Sequence, residues 1–396
     1  MKAQDIALAL LLAGGLIGLG AFTVTALFSP LKISSTSGGA PMPVVTAPVQ
    51  AEPQPMPGVL GEALPADDPR AEFVERNNRA IEALESERFH EAVSELDACL
   101  RAYPDDEVFR GNLAEALARR ARWRHDEPGM GLTLAIPDLK RAVELAPERE
   151  ELPPLLERWL REAELRAEFA QYNSQQFELV FDGSRQSILE GAQRVIDTLE
   201  EAYFEYYELF GVDPVLENER RLRVALYTPE EFREVTGLGH WAGGAFDGTV
   251  KVPVEDFDRD ERRWRETLRH ELLHAFVREV GGRDVPGWLN EGLAQHLEGE
   301  RSRQLALARG QVEGAAPLPL VELTGSLGSL GSSDRIRAAY AQSLLFVDFL
   351  DRQYGVGVLV EMVRQSREQG ASLTFEERLG LPLSEAHGFF LEELGG

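Results

Sequence analysis

The sequence predicts an α+β protein in which a small mixed sheet with helices follows an all-α helical repeat region and an N-terminal transmembrane helix. Three observations lead to this prediction. Residues 6–28 carry no charge, apolar residues recur with the helical period from 71 to 168, and strand-like segments between 177 and 254 precede further helical periodicity. The predicted segments are a short tail, 1–5, the membrane helix, 6–28, a linker, 29–70, the helical repeats, 71–168, and an α+β domain, 170–396.

The N-terminal apolar segment is IALALLLAGGLIGLGAFTVTALF, residues 6–28. It is long enough to cross ~30 Å of hydrocarbon as a helix, whereas the apolar core of a cleavable signal peptide has only ~7–15 residues. We therefore predict an uncleaved single-pass anchor with the soluble part extracytoplasmic, although Lys2 and Lys32 are too few charges to fix the orientation. Eight prolines between Pro41 and Pro69 predict that the linker is a semi-extended spacer.

Composition excludes several classes of protein. The net charge of −26 argues against nucleic acid as a partner, because phosphate backbones are bound by clustered Lys and Arg. The single cysteine, Cys99, excludes an internal disulfide framework and a cysteine-rich zinc site. Any metal ion must therefore be bound by histidine and carboxylate side chains.

The helical segment contains two sets of residues with matching spacing: Ala92, Leu96, Cys99, Pro104 and Ala135, Leu139, Ala142, Pro147. This spacing resembles the tetratricopeptide pattern, in which such residues mark the second helix of each repeat. The offset of 43 residues exceeds the usual ~34, so we predict an insertion in the turn at 124–131. Cys99 is then a buried packing thiol, and a last helix, 152–169, caps the stack.

The third segment has the composition of strands and helices in alternation. FELVF (177–181) and RVALYT (223–228) are rich in β-forming residues, and a long amphipathic helix, 186–210, lies between them. AFDGTVKVPV (245–254) predicts a hairpin, because Asp-Gly favours a tight turn. After residue 260 the pattern is helical, interrupted by a Gly- and Ser-rich stretch at 324–333 that we interpret as a loop.

The helix with the sequence HELLH carries two histidines, His270 and His274, four residues apart. At that spacing the imidazoles are neighbours on one face and can share a cation. Glu271 projects beside the metal, where a general base can take a proton from zinc-bound water. The sequence therefore predicts one Zn²⁺ ion with His270 and His274 as ligands and Glu271 as a catalytic residue.

A catalytic zinc site has three protein ligands and an open position, so a third ligand is required. Gly281-Gly282 ends the first helix and Pro286 helps to start a second, which carries Glu291 back toward the histidines. The competing ligand is His296, but it is five residues from Glu291 and lies on a different face. We therefore predict Glu291, and interpret the other histidines as surface or turn residues: His90, His125, His240 and His387.

HELLH together with NEGLA resembles the gluzincins, the thermolysin-like clan of zinc endopeptidases and aminopeptidases. The later sequences PLPLVEL (317–323), AAYAQSLLFVDFL (338–350), YGVGVLVEMV (354–363) and FEERLGLPLSEAHGFF (375–390) resemble the small peptidase MA-like domain, which often occurs beside tetratricopeptide repeats. The resemblance implies a thermolysin-like fold, zinc ligands His270, His274 and Glu291, and Glu271 as catalytic acid and base.

The same resemblance implies two further features of the site. Gluzincins use a Tyr or His to stabilise the oxyanion, for which Tyr340 is the candidate and His240 a poorer one; otherwise Tyr340 is a core aromatic. An edge strand beside the metal binds extended substrate by backbone pairing, and the hairpin at 245–254 is suited to this.

The predicted function is that of a membrane-anchored zinc metallopeptidase acting on peptide or protein substrates. The absence of a G-x-M-E-N sequence favours endopeptidase over aminopeptidase action. The repeats are expected to recruit a protein partner or substrate. The alternative is a catalytically silent peptidase-like scaffold whose tetratricopeptide-like repeats bind a protein partner.

Overall fold

The computed structural model describes residues 45–46, 68–126, 131–214, 221–239, 242–255, 257–259 and 261–395. The predicted transmembrane helix, 6–28, and most of the predicted linker lie outside these residues. Within the described ranges, no helix combines the length and the apolar character needed to cross a bilayer.

The helical segment forms five helices, each packed against the next along the chain: α1 (Ala71–Glu85), α2 (Phe89–Ala102), α3 (Glu107–Asp126), α4 (Gly131–Leu145) and α5 (Leu152–Ala167). The small and large apolar residues that suggested a repeat, including Leu96 and Leu139, are fully buried in its core. Cys99 is also buried, and its thiol donates a hydrogen bond to the Phe73 carbonyl at 3.3 Å. The prediction of a buried packing thiol is confirmed.

The predicted insertion at 124–131 is wrong in its first half. Arg124, His125 and Asp126 form the last turn of α3 instead of a loop. This turn is held by contacts with other parts of the protein, because His125 lies 3.8 Å from Glu162 and Asp126 pairs with Arg283 at 2.6 Å.

The sheet has six strands in the order β1-β5-β6-β4-β3-β2. They are β1 (Val45–Thr46), β2 (Ala170–Asn173), β3 (Phe177–Phe181), β4 (Leu222–Tyr227), β5 (Ala242–Phe246) and β6 (Thr249–Pro253). The central strands β3, β4 and β6 are parallel, β2 and β5 are antiparallel to their partners, and β1 is parallel to β5. The two predicted strands and the hairpin about Asp247-Gly248 are confirmed. Neither β2 nor β1 was predicted, and β1 lies within the predicted linker, 29–70, where pairing with β5 makes these two residues part of the sheet.

The remaining helices surround this sheet: α6 (Gln186–Phe210), α7 (Pro229–Thr236), α8 (Glu261–Gly281), α9 (Gly287–Leu297), α10 (Arg301–Val312), α11 (Ser333–Tyr354), α12 (Val356–Arg364), α13 (Ala371–Leu379) and α14 (Leu383–Gly395). The predicted helix at 186–210 and the helical character after residue 260 are confirmed. Helix α8 packs against α6, α9, α12 and the β5–β6 hairpin. Its central part, including His270, Glu271 and His274, is therefore buried, whereas charged residues near its two ends reach solvent.

A group of buried charges, here called the ion cluster, joins α3 and α5 to the β5–β6 hairpin. The ammonium of Lys251 donates to Glu162 at 2.9 Å and to Asp247 at 2.6 Å. Arg166 also pairs with Glu162, at 2.5 Å, and the His125 ring stacks on Trp159 with centroids 4.5 Å apart. The helical segment is therefore attached to the sheet by paired charges as well as by apolar contacts.

Two of the predicted surface histidines are largely removed from solvent: the His125 side chain is 8% exposed, and His387 is buried. His125 belongs to the ion cluster. His387 packs on Phe346, with ring centroids 5.0 Å apart, because α14 lies against α11. His90 is exposed as predicted, and His240 lies outside the described residues.

Replacing Lys251 with Met should lower the free energy of unfolding by about 3–5 kcal/mol, because the carboxylates of Glu162 and Asp247 would lose their buried partner. Urea unfolding of the two proteins measures this loss. The control is Arg161→Ala, whose partners Glu164 and Glu234 are exposed, and which should cost about 0–1 kcal/mol. Equal losses for the two variants would contradict the assignment of the ion cluster as a structural junction.

The pKa of His125 is raised to about 9, since the charge of Asp247 and the contacts with Asp126 and Glu162 outweigh the lowering by burial. A raised pKa in the folded protein stabilises it below the ordinary pKa, ~6.5, and this stabilisation is lost as the pH rises toward about 9. The difference in melting temperature between wild type and His125→Gln should therefore be greatest near pH ~6 and smallest above pH ~9. Melting curves across this range would contradict the assignment if the difference stayed constant.

Candidate metal centre

Three side chains from α8 and α9 meet in the interior of the protein. His270 and His274 are one turn apart on α8, and their ring centroids are 4.9 Å apart. After α8 the chain turns at Gly282, which has a φ of +68°, and α9 then returns Glu291 to the histidines. One ligand atom from each of the three residues lies within 4.8 Å of the others. The three predicted metal ligands are therefore brought together.

The nitrogen atoms of these histidines are arranged as a metal ion requires. The Nδ1 atoms of both rings are hydrogen-bonded elsewhere, whereas the Nε2 atoms are buried without a hydrogen bond. The Nε2 atoms of His270 and His274 lie 3.4 and 3.6 Å from Glu291 Oε2. Ligand atoms at ~2.0–2.1 Å from a tetrahedral zinc are separated by about 3.3–3.5 Å, so the two histidine–glutamate distances are compatible with a shared zinc ion.

Two residues that the sequence analysis missed orient the histidine rings. Glu298 lies 2.5 Å from His270 Nδ1, and Asn290 Oδ1 lies 2.9 Å from His274 Nδ1. These contacts favour the tautomer in which Nε2 carries the free lone pair. Asn290 stands beside Glu291 in NEGLA, and Glu298 is two helical turns further on, so helix spacing provided a signal for both.

Glu271 is buried, and neither of its carboxylate oxygens has a hydrogen-bond partner in the described structure. Burial is the largest cause that raises its pKa, to about 8; His270 lowers it, and Glu291 and Glu298 raise it further. A carboxylate with this pKa can exchange a proton near neutral pH.

Strand β5 closely approaches this carboxylate at Gly244. A Cβ atom at position 244 would lie 2.5 Å from Glu271 Oε1 and 2.8 Å from the Thr267 methyl group. Any side chain there would displace Glu271. The glycine therefore allows the backbone of a sheet strand to border the candidate site.

The competing ligand, His296, lies on α9, and the candidate for stabilising the oxyanion, Tyr340, lies on α11. His296 is hydrogen-bonded to Asp351 at 3.0 Å and is not part of the three-residue group. Tyr340 is buried on α11, and its carbonyl accepts a hydrogen bond from Gln295, which also donates to the Glu291 carbonyl. The backbones of Tyr340 and Glu291 are thus linked through one amide, and the oxyanion role of Tyr340 stays a prediction.

Comparison with models of known protein families finds no match for the chain, and comparison with curated proteins finds none. The function must therefore be inferred from the geometry of the site. The protein has an α+β fold, and two histidines and a glutamate lie close enough together in it to hold a metal ion.

Replacing Glu298 with Gln should lower the affinity for zinc by about 10–100-fold, because the carboxylate that orients His270 and raises its basicity would be lost. Competition with a chromophoric chelator measures the affinity. Glu385→Gln, at an exposed glutamate on α14, is the matched control and should bind zinc as wild type does. Unchanged affinity in the Glu298 variant would show that this carboxylate does not support the site.

Proposed function

We propose that this chain is a zinc metallopeptidase of the gluzincin type that cleaves within peptide chains. The observation that carries the proposal is the meeting of the Glu291 carboxylate with two buried imidazole nitrogens that make no hydrogen bond, beside the Glu271 carboxylate, which also makes none in the described structure. An ordinary protein interior pairs its buried polar atoms. Leaving the two Nε2 atoms and the Glu271 oxygens without hydrogen bonds is a cost that metal binding and catalysis would account for.

The side chains of the site divide the chemistry between holding the metal and moving protons. His270, His274 and Glu291 would hold the zinc ion, which when bound polarises a carbonyl and makes water more acidic. Glu271 accepts the proton of the attacking water and delivers it to the amine that leaves as the peptide bond breaks. Burial raises the pKa of the Glu271 carboxyl above its ordinary value.

The substrate would lie extended along β5. This strand pairs with β6 on one side, and on its other side the two residues of β1 pair with it, one of them opposite Gly244, so an extended substrate would take the place of β1 there. Free backbone groups at a sheet edge bind an extended peptide by adding a strand. Gly244 would bring that peptide against Glu271, and Tyr340 is proposed as the residue that stabilises the oxyanion.

The wider architecture assigned to this enzyme is also part of the proposal. Residues 170–396 would be a thermolysin-like, peptidase MA-like domain, and α1–α5 a degenerate tetratricopeptide-like region that recruits a protein partner or substrate. The apolar segment 6–28 would anchor the chain in a membrane with its soluble part extracytoplasmic. A scaffold without activity is the competing function, but the ligand set and the glutamate beside it are complete.

Replacing Glu271 with Gln should lower the rate of cleavage of an unfolded protein by about 10²–10⁴-fold, the usual contribution of general acid–base catalysis. Zinc content should stay at one ion per chain, because Glu271 is not a ligand. Cleavage is measured by gel electrophoresis and zinc by atomic emission.

The matched control is Glu261→Gln, which changes a glutamate in the first turn of the same helix and should cleave as wild type does. If wild-type protein binds zinc stoichiometrically but cleaves nothing, the scaffold is the better explanation. A Glu271 variant that cleaves at the wild-type rate would refute the assigned mechanism.

A further inference from the structure

A cavity of about 550 Å³ lies between the helical segment and α8, and is here called the junction cavity. Its wall includes Phe89 and Trp123 from the helical segment, Phe246 from β5, and Arg278 from α8. The helical segment therefore contributes directly to a cavity that borders both the edge strand and the helix of the metal ligands.

The junction cavity begins close to the candidate metal centre. Ala275, which lines it, directly follows the ligand His274, and Arg278 is one turn further along α8, about 6 Å along the axis. On β5, Phe246 lies two residues beyond Gly244, the residue that contacts Glu271. Since an extended peptide advances ~3.3 Å per residue, the cavity would receive a substrate residue about two positions from the bond that is cleaved.

One side of the cavity is aromatic and only partly buried. The rings of Phe89 and Trp123 have centroids 6.1 Å apart, and the Arg278 guanidinium lies 5.9 Å from the centre of the Phe246 ring. Partly exposed rings in a concave surface offer apolar area to a ligand. The stem of a substrate side chain can pack there.

The guanidinium groups around the cavity differ in whether they are already paired. Arg283 forms an ion pair with Asp126 at 2.6 Å, and Arg278 reaches the same carboxylate at 4.0 Å. Arg367 lines the cavity beside Gly282 and has no ion pair with any residue that the structure describes. Within that part of the chain its donors are not engaged by a carboxylate, and a substrate carboxylate in the cavity would form a charged hydrogen bond with them.

Exposed acidic residues also line the cavity: Glu87, Glu279 and Asp284. The cavity wall is thus not uniformly positive. A substrate carboxylate would be favoured beside Arg367 and disfavoured elsewhere in the cavity. The cavity therefore selects substrates that carry the carboxylate at one position.

We propose that the junction cavity is a specificity subsite in which Arg367, beside Gly282 at the end of α8, binds a carboxylate of the substrate at a fixed position relative to the cleaved bond. The inference rests on the proposed peptidase function and names its substrate class, peptides that carry a negative charge at one fixed position. Phe89 and Trp123 hold the adjoining apolar part of the substrate. The carboxylate belongs either to an acidic side chain or to the C-terminus of the substrate.

The test uses the full-length, zinc-loaded chain in detergent and two libraries of random nonapeptides, one with free and one with amidated C-termini. Cleavage sites are identified by mass spectrometry. Enrichment of Asp or Glu at one position in both libraries identifies a side-chain carboxylate. Cleavage confined to a fixed distance from the end of the free-acid library identifies the C-terminus, and either result supports the subsite.

Charge variants then test whether Arg367 is the residue responsible. For the peptide that the wild type prefers, Arg367→Glu should lower kcat/KM on the order of tenfold, mainly through KM, because a charged hydrogen bond is lost. The same variant should prefer a peptide with Lys at that position, and Arg367→Lys should retain the acidic preference. Arg101→Glu, on the exposed surface of α2, is the control and should behave as wild type.

These experiments distinguish failure of the subsite from failure of the proposed peptidase function. If wild type cleaves both libraries without any charge preference, or if Arg367→Glu keeps the acidic preference, the subsite is refuted while the peptidase stands. If wild type cleaves neither library although zinc is bound, the proposed function fails, and the subsite that rests on it fails as well.

Discussion

Lys251 is the charge on which the arrangement of the whole protein depends. Its ammonium lies between Glu162 of the helical segment and Asp247 of the β5–β6 hairpin, with almost no exposure to solvent. Burying three charges is favourable only when each finds partners at short range. The hairpin therefore has one position relative to the helical segment, and this position fixes where β5 passes the candidate site and where the junction cavity lies.

Helix α8 shows how a buried helix can carry polar chemistry. It is enclosed by other helices and by the hairpin, so its histidines and Glu271 have lost their contacts with water. Glu298 and Asn290 satisfy one nitrogen of each ring, and the other nitrogens point toward Glu291. The unfavourable free energy of removing these groups from water therefore arises mainly where the two nitrogens face Glu291, and a divalent cation bound there would offset it. The same enclosure raises the pKa of Glu271.

The sequence was most informative where the deciding contacts are local. The helical period predicted α6 and α8, the Asp-Gly pair predicted the hairpin, and the i, i+4 spacing with a short turn to α9 predicted the three-residue group.

The sequence was least informative for residues whose contacts come from distant parts of the chain. The prediction that His125 lies at the surface was wrong because its partners Glu162 and Asp247 come from other elements. Strand β2 was missed because four mostly exposed residues carry little periodicity. The tetratricopeptide-like and thermolysin-like assignments depend on resemblance, and the membrane segment lies outside the described residues.

The buried thiol of Cys99 has a practical consequence for following this protein in solution. Burial raises its pKa to about 11, so almost no thiolate is present at neutral pH to react with maleimides or iodoacetamides. Because Cys99 is also the only cysteine of the chain, the native protein is in effect unreactive toward thiol labels. A cysteine introduced at any exposed position would therefore be labelled selectively. Pairs of fluorophores on the helical segment and on α8 can then report distances without removing the native cysteine.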